Sequence, residues 1–389
     1  MSQISLGAIC LILLVSQGIA TLILLSRLLP GLRRQPPLQP QNPTPEQLAK
    51  VSIVVPTLNE AARLNPCLEG LTRQSYEVRE IIFVDSNSQD GTPEKVKQAQ
   101  RKDPRFRLIN DPPLPTGWIG RPWALHNGFL ASSPKSTWIL GIDADTQPQP
   151  GLVASLITTA EREGYDLITL APQFVLEYPL EWWLQPALLV TLLYRAFSPG
   201  GGETIPERIM ANGQCFFCRR SVLEAVGGYQ SAASSFCDDV TLARYIAAAG
   251  YRVGFADGSN LIKVRMYQGF QETWQEWGRS LDLKDACSPQ SLWSDLWLLA
   301  NVQALPIPIL IFCAILLSYG LSFPTLMALF ALNLFLIILR LVITISITKS
   351  YANLSWWFWL SPLADCLAWW RIFLSARQIP RQWRGRVYG

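Results

Sequence analysis

Histidine is almost missing from this chain: His126 is the only one in 389 residues. No Ser or Cys nucleophile motif accompanies it, so triad chemistry lacks its parts and the ring reads as structural. Charge is also scarce. Charged residues make up 16% and hydrophobic ones 49%, with a positive mean hydropathy, so part of the chain must face lipid. The formal net charge is only +4, which implies no general polyanion-binding surface and no nucleic-acid partner. Eight cysteines are present without a disulfide framework: Cys10, Cys313 and Cys366 fall in apolar runs, the others in a segment assigned to a reducing compartment. Cys215-Phe-Phe-Cys218 has no second pair nearby, so a zinc site is not indicated. The first strand-like run is followed by Thr57-Leu-Asn-Glu60 and not by a glycine-rich phosphate loop, which argues against nucleotidyl transfer.

Long apolar runs are what the chain does have. Residues 4–25 carry no charge and, at 1.5 Å rise per residue, reach roughly 30 Å, enough to cross a bilayer core. No positive charge precedes the run and no small-x-small site follows it, so an uncleaved anchor is expected over 1–29. Arg27, Arg33 and Arg34 follow, which by the positive-inside rule puts the next domain in the cytoplasm. The proline-rich stretch within 30–50 reads as a semi-extended spacer holding that domain off the membrane. Beyond residue 290, runs at 298–318 and 321–347 are spanning candidates. A third at 356–375 is broken by Pro362 and Asp365, and is expected to be re-entrant or interfacial. Asp365 inside it is either a functional group or a helix-packing partner. The tail over 377–389 carries Arg377, Arg381, Arg384 and Arg386 without a carboxylate and reads as facing lipid headgroups.

Between these ends the pattern alternates. Strands are expected at 51–55, 80–84, 106–109, 137–142 and 167–170, and helices at 61–74 and 93–101, with Thr92 as N-cap of the second. This alternation argues for a mainly parallel sheet with helices on both faces. Residues 181–197, with Trp182 and Trp183 and charged ends, are expected to lie in the membrane interface, a core helix being the alternative. Pro199-Gly-Gly-Gly-Glu203 reads as a mobile loop, and residues 240–250 as a helix ending at Gly250.

Four acidic motifs punctuate this block: Val51-Ser-Ile-Val-Val-Pro-Thr-Leu-Asn-Glu60, Val84-Asp-Ser-Asn-Ser-Gln-Asp-Gly-Thr92, Asp143-Ala-Asp145 and Cys237-Asp-Asp-Val-Thr-Leu242. The first three deliver carboxylates just past apolar runs, where an open α/β sheet binds ligands. A hard divalent cation prefers such oxygens and takes one or two carboxylates plus substrate phosphates. Arg121 can pair bidentately with phosphate.

In order and spacing these motifs resemble the inverting family 2 glycosyltransferases over roughly residues 50–280. The resemblance implies an α/β, Rossmann-like mixed sheet of the GT-A type over 51–285, between the N-terminal anchor and C-terminal membrane helices at 290–376. It implies a nucleotide-sugar donor, with Pro56, Thr57, Glu60, Asp85, Arg121 and Asp143 around it. Asp145, with Asp143, would hold Mg²⁺ or Mn²⁺, and Asp239 would be the catalytic base. Asp238 stands where the family carries Glu, which shortens a supporting side chain and leaves the base intact. Val264-Arg-Met-Tyr267 and Trp274-Gln-Glu-Trp-Gly-Arg279 depart from the Gln-x-x-Arg-Trp motif of processive synthases. With Gly117-Trp-Ile-Gly-Arg-Pro-Trp-Ala124 they are similar to a membrane-bound subgroup, the cyanobacterial carotenoid 2-O-glycosyltransferases and hopene-associated enzymes. Arg265 and Arg279 could then reach the diphosphate, and Trp274 and Trp277 could hold an apolar acceptor or seat the domain on membrane lipids. The expected activity is hexosyl transfer to a hydroxyl of a hydrophobic lipid, a carotenoid first. A polyprenyl-phosphate or glycoglycerolipid acceptor is the alternative, and a non-catalytic membrane scaffold the rival from another class.

Overall fold

The computed structural model describes residues 3–29, 31, 35–195, 205–277, 281, 283–378, 382–383 and 386–387. Arg33, Arg34, the 199–203 loop, Arg279, Arg381 and Arg384, singled out above, lie outside the described residues. The chain divides into two compact units: a helical unit from 1–33, 176–198 and 267–379, and a sheet unit from 34–175, 199–266 and 380–389. Residues 176–198 and 267–285 therefore belong to the helical unit, where one continuous domain over 51–285 was expected.

In chain order, α1 (Gln3–Leu28) is helical-unit structure. The sheet unit follows with β1 (Val51–Thr57), α2 (Asn65–Thr72), β2 (Val78–Asp85), α3 (Thr92–Lys102), β3 (Phe106–Asn110), α4 (Gly120–Ala131), β4 (Trp138–Ile142), β5 (Thr146–Pro148), α5 (Leu152–Glu163), β6 (Leu167–Ala171) and β7 (Gln173–Phe174). Helix α6 (Pro179–Arg195) returns to the helical unit. The sheet unit resumes with β8 (Cys215–Arg219), α7 (Arg220–Ala225), α8 (Asp238–Ala248), β9 (Val253–Asp257) and β10 (Ile262–Val264). The helical unit is completed by α9 (Gly269–Glu272), α10 (Pro289–Leu299), α11 (Pro306–Ser318), α12 (Pro324–Ser346) and α13 (Asp365–Arg377).

The main sheet runs β3-β2-β1-β4-β8-β6-β9. Strands β1 to β4 are parallel, β8 is antiparallel to both β4 and β6, and β6 and β9 are parallel again. The antiparallel β8 makes the sheet mixed, as the GT-A resemblance implied, with parallel pairings still in the majority. Five of the seven residues of β1 are consecutive buried positions, the near-continuous apolar run of a strand covered on both faces. Its buried Ser52 hydroxyl donates to Glu80 and bonds Ser136, each at 2.8 Å. Helix α4 lies close on this sheet because residue 128 is glycine: a Cβ there would fall 2.2 Å from Cγ1 of Val54. A second small sheet, β5-β10-β7, sits beside the end of β4.

Three local expectations change. Helix α3 begins at Thr92, with Gly91 as N-cap at φ 90°, because the Thr92 hydroxyl is spent on Asp90. Helix α2 begins at Asn65, since the backbone N–H groups of Arg63 and Leu64 bond back to the Glu60 carbonyl in a turn. The proline-rich segment is docked and is no free spacer: Leu38 is buried and its N–H bonds the Asp257 carbonyl at 2.9 Å, while the Pro43 carbonyl accepts from Tyr76.

In the helical unit α1 and α12 contain segments long and apolar enough to cross a membrane, Leu6–Leu28 and Pro324–Ser346, and Pro289–Ala304 with Pro306–Ser318 would be a third if that pair, bent by 48°, is one span. Cys10 and Cys313 turn inward into one cluster with Leu326 and Leu329; all eight cysteines are free thiols. Helix α6 is a core helix and is not interfacial: Trp182 is 4% exposed and Glu181 fully buried. The Glu181 carboxylate has local work to do, accepting the N–H groups of Glu177 and Gly269. Past 356 the chain forms a tight 3₁₀ coil through Pro362 and then α13. Asp365 is the packing partner of Arg340 there, at 2.8 Å.

Candidate active site

Five chain segments meet at the carboxyl ends of β1, β2 and β4. The first two are braced together. The Thr57 hydroxyl donates to Asp85 at 3.3 Å, and Ser88 gives Asp85 both its N–H (2.9 Å) and its hydroxyl (2.6 Å). Asn59, at φ 55°, donates its N–H to the Ser88 hydroxyl oxygen and accepts the Gln89 N–H on its side-chain oxygen. Asp90 accepts from the Ala61 and Thr92 N–H groups and the Thr92 hydroxyl. Burial alone would raise the Asp90 pKa; those bonds outweigh it and leave it lowered. The result is a rigid double loop carrying Pro56, Thr57, Glu60 and Ser86 on its open side.

That side is one wall of a cleft of about 390 Å³ lined by Pro56, Thr57, Glu60, Ser86, Arg121 and Asp143 together with four small or apolar neighbours. Asp85 is 1% exposed and lies under this rim, next to its lining residue Ser86. Across the cleft the turn after β4 presents Asp143, a quarter exposed, while Asp145 points inward at 8% exposure. The turn is locked by Thr146, whose N–H and hydroxyl both bond the Asp143 carbonyl. Beneath it, burial first, then the carboxylates of Asp145, Asp143 and Glu60, push the Cys67 thiol up to about 12.

The fourth and fifth segments are the N-termini of α4 and α8. Arg121, in the first turn of α4, donates Nε to Oδ1 of Asp143 at 3.0 Å, and its Nη2 lies in ion-pair contact with the same oxygen at 2.9 Å. Its Nη1 pairs with Asp238, and Nη2 also bonds the Gly213 carbonyl at 2.7 Å. The Gly213 N–H in turn donates to Oδ2 of Asp239 at 2.6 Å, whose Oδ1 accepts from Val240 at 2.9 Å. Burial raises the pKa of both Asp238 and Asp239; for each, the Arg121 charge opposes the rise without cancelling it.

Asp143 and Asp145 are the residues that could hold a divalent cation. Both Arg121 contacts on Asp143 fall on Oδ1, which leaves Oδ2 uncommitted on a residue that lines the cleft, and the candidate ligand atoms are all hard oxygen. Among the described residues no group of three His, Cys, Asp or Glu side chains could jointly hold an ion. One or two carboxylates completed by phosphate oxygens is a Mg²⁺-type donor set, so the residues fit such a site.

The remaining predicted residues fall elsewhere. Arg265 lies at the end of β10, its N–H on the Asp145 carbonyl and its guanidinium on that of Val175. Trp274 and Trp277 belong to the helical unit: Trp274 stacks on Phe270 and under Arg371, and Trp277 is buried. His126 packs against Trp118 and Trp123 and accepts the Tyr229 N–H, with burial lowering its pKa. Sequence reasoning missed Ser86 and Gly213. The Asn212-Gly213 pair was a turn signal that could have drawn attention to the second.

The model of glycosyl transferase family 2 matches residues 52–227. A 4,4'-diaponeurosporenoate glycosyltransferase of Staphylococcus haemolyticus is 26% identical over 61% of this chain and 62% of its own length. An undecaprenyl-phosphate 4-deoxy-4-formamido-L-arabinose transferase of Photorhabdus laumondii is 31% identical over 32% of this chain and 37% of its own. The chain thus spans under two thirds of either relative. Among solved structures, the mannosyltransferase PcManGT from Pyrobaculum calidifontis, in complex with GDP-Man and Mn²⁺, superposes with a TM-score of 0.54 at 20% identity, covering 93% of this chain and 99% of that one. The mixed α/β fold is that of the GT-A proteins.

Proposed function

Residues 52–227 being a family 2 glycosyl transferase domain, we propose that this chain transfers a hexosyl group, with inversion, from a nucleotide-diphosphate sugar to a hydroxyl of a hydrophobic lipid. The observation that carries the reading is the pairing, through one guanidinium, of Asp143 at a strand-end cleft with the Asp238-Asp239 pair. Such a cleft is where an open α/β sheet takes a nucleotide. Thr57 and Glu60 offer a hydroxyl and a carboxylate to ribose and base, over the loop that Asp85 holds rigid. Asp145 and Oδ2 of Asp143 would hold Mg²⁺ or Mn²⁺, which when bound supplies charge neutralisation on the leaving diphosphate. Asp239 takes the proton of the acceptor hydroxyl as that oxygen attacks the anomeric carbon from the face opposite the diphosphate. Its two backbone N–H bonds fix the direction from which it acts. Arg265, whose N–H bonds the Asp145 carbonyl, would support the diphosphate side.

The acceptor reading rests on two facts. The helical unit carries two helices able to cross a membrane, so a lipid dissolved in the bilayer is a substrate the chain can meet. The diaponeurosporenoate relative favours a carotenoid, and the undecaprenyl-phosphate relative favours a polyprenyl phosphate. A multi-pass protein with the sheet unit in the cytoplasm follows from the arginines after the first apolar run. Mass-spectrometric profiling of pigments and lipids in a strain lacking the gene, against its parent, tests this. Accumulation of an unglycosylated carotenoid supports the first acceptor. Unchanged carotenoids with a lost polyprenyl-linked sugar or glycolipid move the acceptor and keep the chemistry. No change in any glycoconjugate overturns the transfer itself.

A further inference from the structure

Arg121 lines the cleft, and a guanidinium there invites assignment as a diphosphate ligand. Its bonds point elsewhere. Of its five N–H donors, Nε goes to Asp143, one on Nη2 to the Gly213 carbonyl and one on Nη1 to Asp238, while Nη2 also stands in ion-pair contact with Asp143 at 2.9 Å. Three donors are spent inside the protein, two partners being carboxylates in charge-assisted bonds, the strong class. Turning the fork to a bound phosphate would break contacts to both carboxylates at once. The backbone is shaped for the bracket as well. A Cβ at residue 213 would lie 2.5 Å from Arg121 Nη2, so only glycine allows the approach, and the same residue passes the constraint to Asp239 through its N–H.

We infer that Arg121 is a positioning residue, coupling Asp143 on the donor side to Asp238 and, through Gly213, to Asp239 on the acceptor side. This rests on the glycosyl-transfer reading above. One planar group sets the spacing between the carboxylate that meets the donor and the carboxylate that takes the acceptor proton. It holds Asp143 by one oxygen and leaves the other for the donor side. Lysine keeps the charge but lacks the fork that spans two carboxylates and a carbonyl. Alanine at residue 213 keeps the guanidinium and pushes it aside.

The test uses the full chain in detergent. Affinity for Mn²⁺ with UDP and with GDP is measured by calorimetry, and turnover is measured with the donor and acceptor that the profiling identifies. Misplacement by about 1 Å can cost roughly 10²-fold in rate. Arg121→Lys and Gly213→Ala should each lower kcat on that order, while the dissociation constant for Mn²⁺ and nucleotide moves less than about threefold. In the double variant Arg121→Lys, Asp238→Asn, the loss should be smaller than the product of the single losses. Gly213→Ala guards against a folding failure of the arginine variant. Nucleotide affinity falling as far as kcat in both single variants would make Arg121 a diphosphate ligand and overturn the inference. Fully multiplicative losses would overturn it too. A wild-type chain that binds Mn²⁺ with neither nucleotide overturns the donor reading, and the inference with it.

Discussion

Arg340 in the helical unit and Arg121 in the sheet unit are both held by carboxylates, and the surroundings separate them. Arg340 meets Asp365 as a two-pronged pair, Nε to Oδ2 at 2.8 Å and Nη2 to Oδ1 at 3.0 Å. Its Nη1 goes to Thr344, Gln303 adds a further bond to Asp365, and both charged side chains are 4% exposed. Arg121 instead divides itself between two carboxylates and a carbonyl at the edge of a cleft, and leaves one oxygen of a quarter-exposed Asp143 uncommitted. The first arrangement consumes its own chemistry. The second keeps some in reserve, which is the mark of a site. An acidic residue in an apolar run is a functional hypothesis by default, and the two-pronged closure of Asp365 is the kind of observation that withdraws it.

The sharpest way to break this comparison is to remove function on one side without touching stability. Asp239→Asn keeps the shape of the side chain and removes the proton acceptor. General-base catalysis is worth about 10²–10⁴-fold, so turnover should fall by that factor while the thermal midpoint and the affinity for Mn²⁺ with nucleotide hold. Retained turnover would move the base elsewhere.

The converse change belongs to the helical unit. Asp365→Ala leaves Arg340 charged and buried, and breaking one side of such a pair costs about 3–5 kcal/mol. Thermal unfolding in detergent should show it as a large drop. Replacing both partners together, Arg340→Met with Asp365→Leu, should recover most of the loss, because a well-packed apolar pair substitutes for a buried ion pair. If Asp365→Ala abolished turnover at an unchanged midpoint, the helical-unit pair would be a site after all.

Acidity gives a smaller and more graded contrast. Burial is the main cause that raises the Asp239 pKa, with Asp143 adding to it, while Arg121 and the N–H groups of Val240 and Gly213 work against the rise. A base must be deprotonated, so kcat/KM is lost as pH falls through a pKa lying above the ordinary Asp value of about 3.9. The acid limb of the profile should therefore sit above that value, with a slope of tenfold per pH unit below it. A limb at or under about pH 4 would mean that the carboxylate is better solvated than its burial implies.

Much of this was legible because the sheet writes itself plainly. Strands β1 and β2 are apolar runs ending in Thr57 and Asp85, β4 is one followed at once by Asp143, and the acidic residues mark where strand becomes loop. Strand β8 was not legible: Cys215-Phe-Phe-Cys218 lacks a period-2 pattern, since it is buried on both faces between β4 and β6. Strands β5, β7 and β10 have three, two and three residues, too few for any pattern. Helix α6 misled because paired tryptophans suit an interface as well as a core, and what decides is the neighbours, Tyr351 and Phe358, which pack on Trp182 from far along the chain. The bracket at Arg121 was invisible for a related reason. Its carboxylates stand 22 and 117 residues away in sequence, and only the fold brings them to one guanidinium.

The mildest change asks whether polar groups in the helical unit are packing devices throughout. Gln17 of α1 and Asn333 of α12 exchange amide bonds at 2.9 and 2.8 Å, both fully buried. Gln17 also reaches the Asn301 carbonyl at 3.0 Å. Asn333→Leu removes one amide and leaves Gln17 with that last bond only, so the cost is the partial desolvation of a neutral group, about 1–2 kcal/mol. That is well under the loss expected at Asp365, because no charge is stranded. The thermal midpoint should drop slightly while affinity for Mn²⁺ with nucleotide stays at the wild-type value. A loss as large as that of Asp365→Ala would mean that the amide pair between α1 and α12 holds the unit as firmly as the ion pair between α12 and α13.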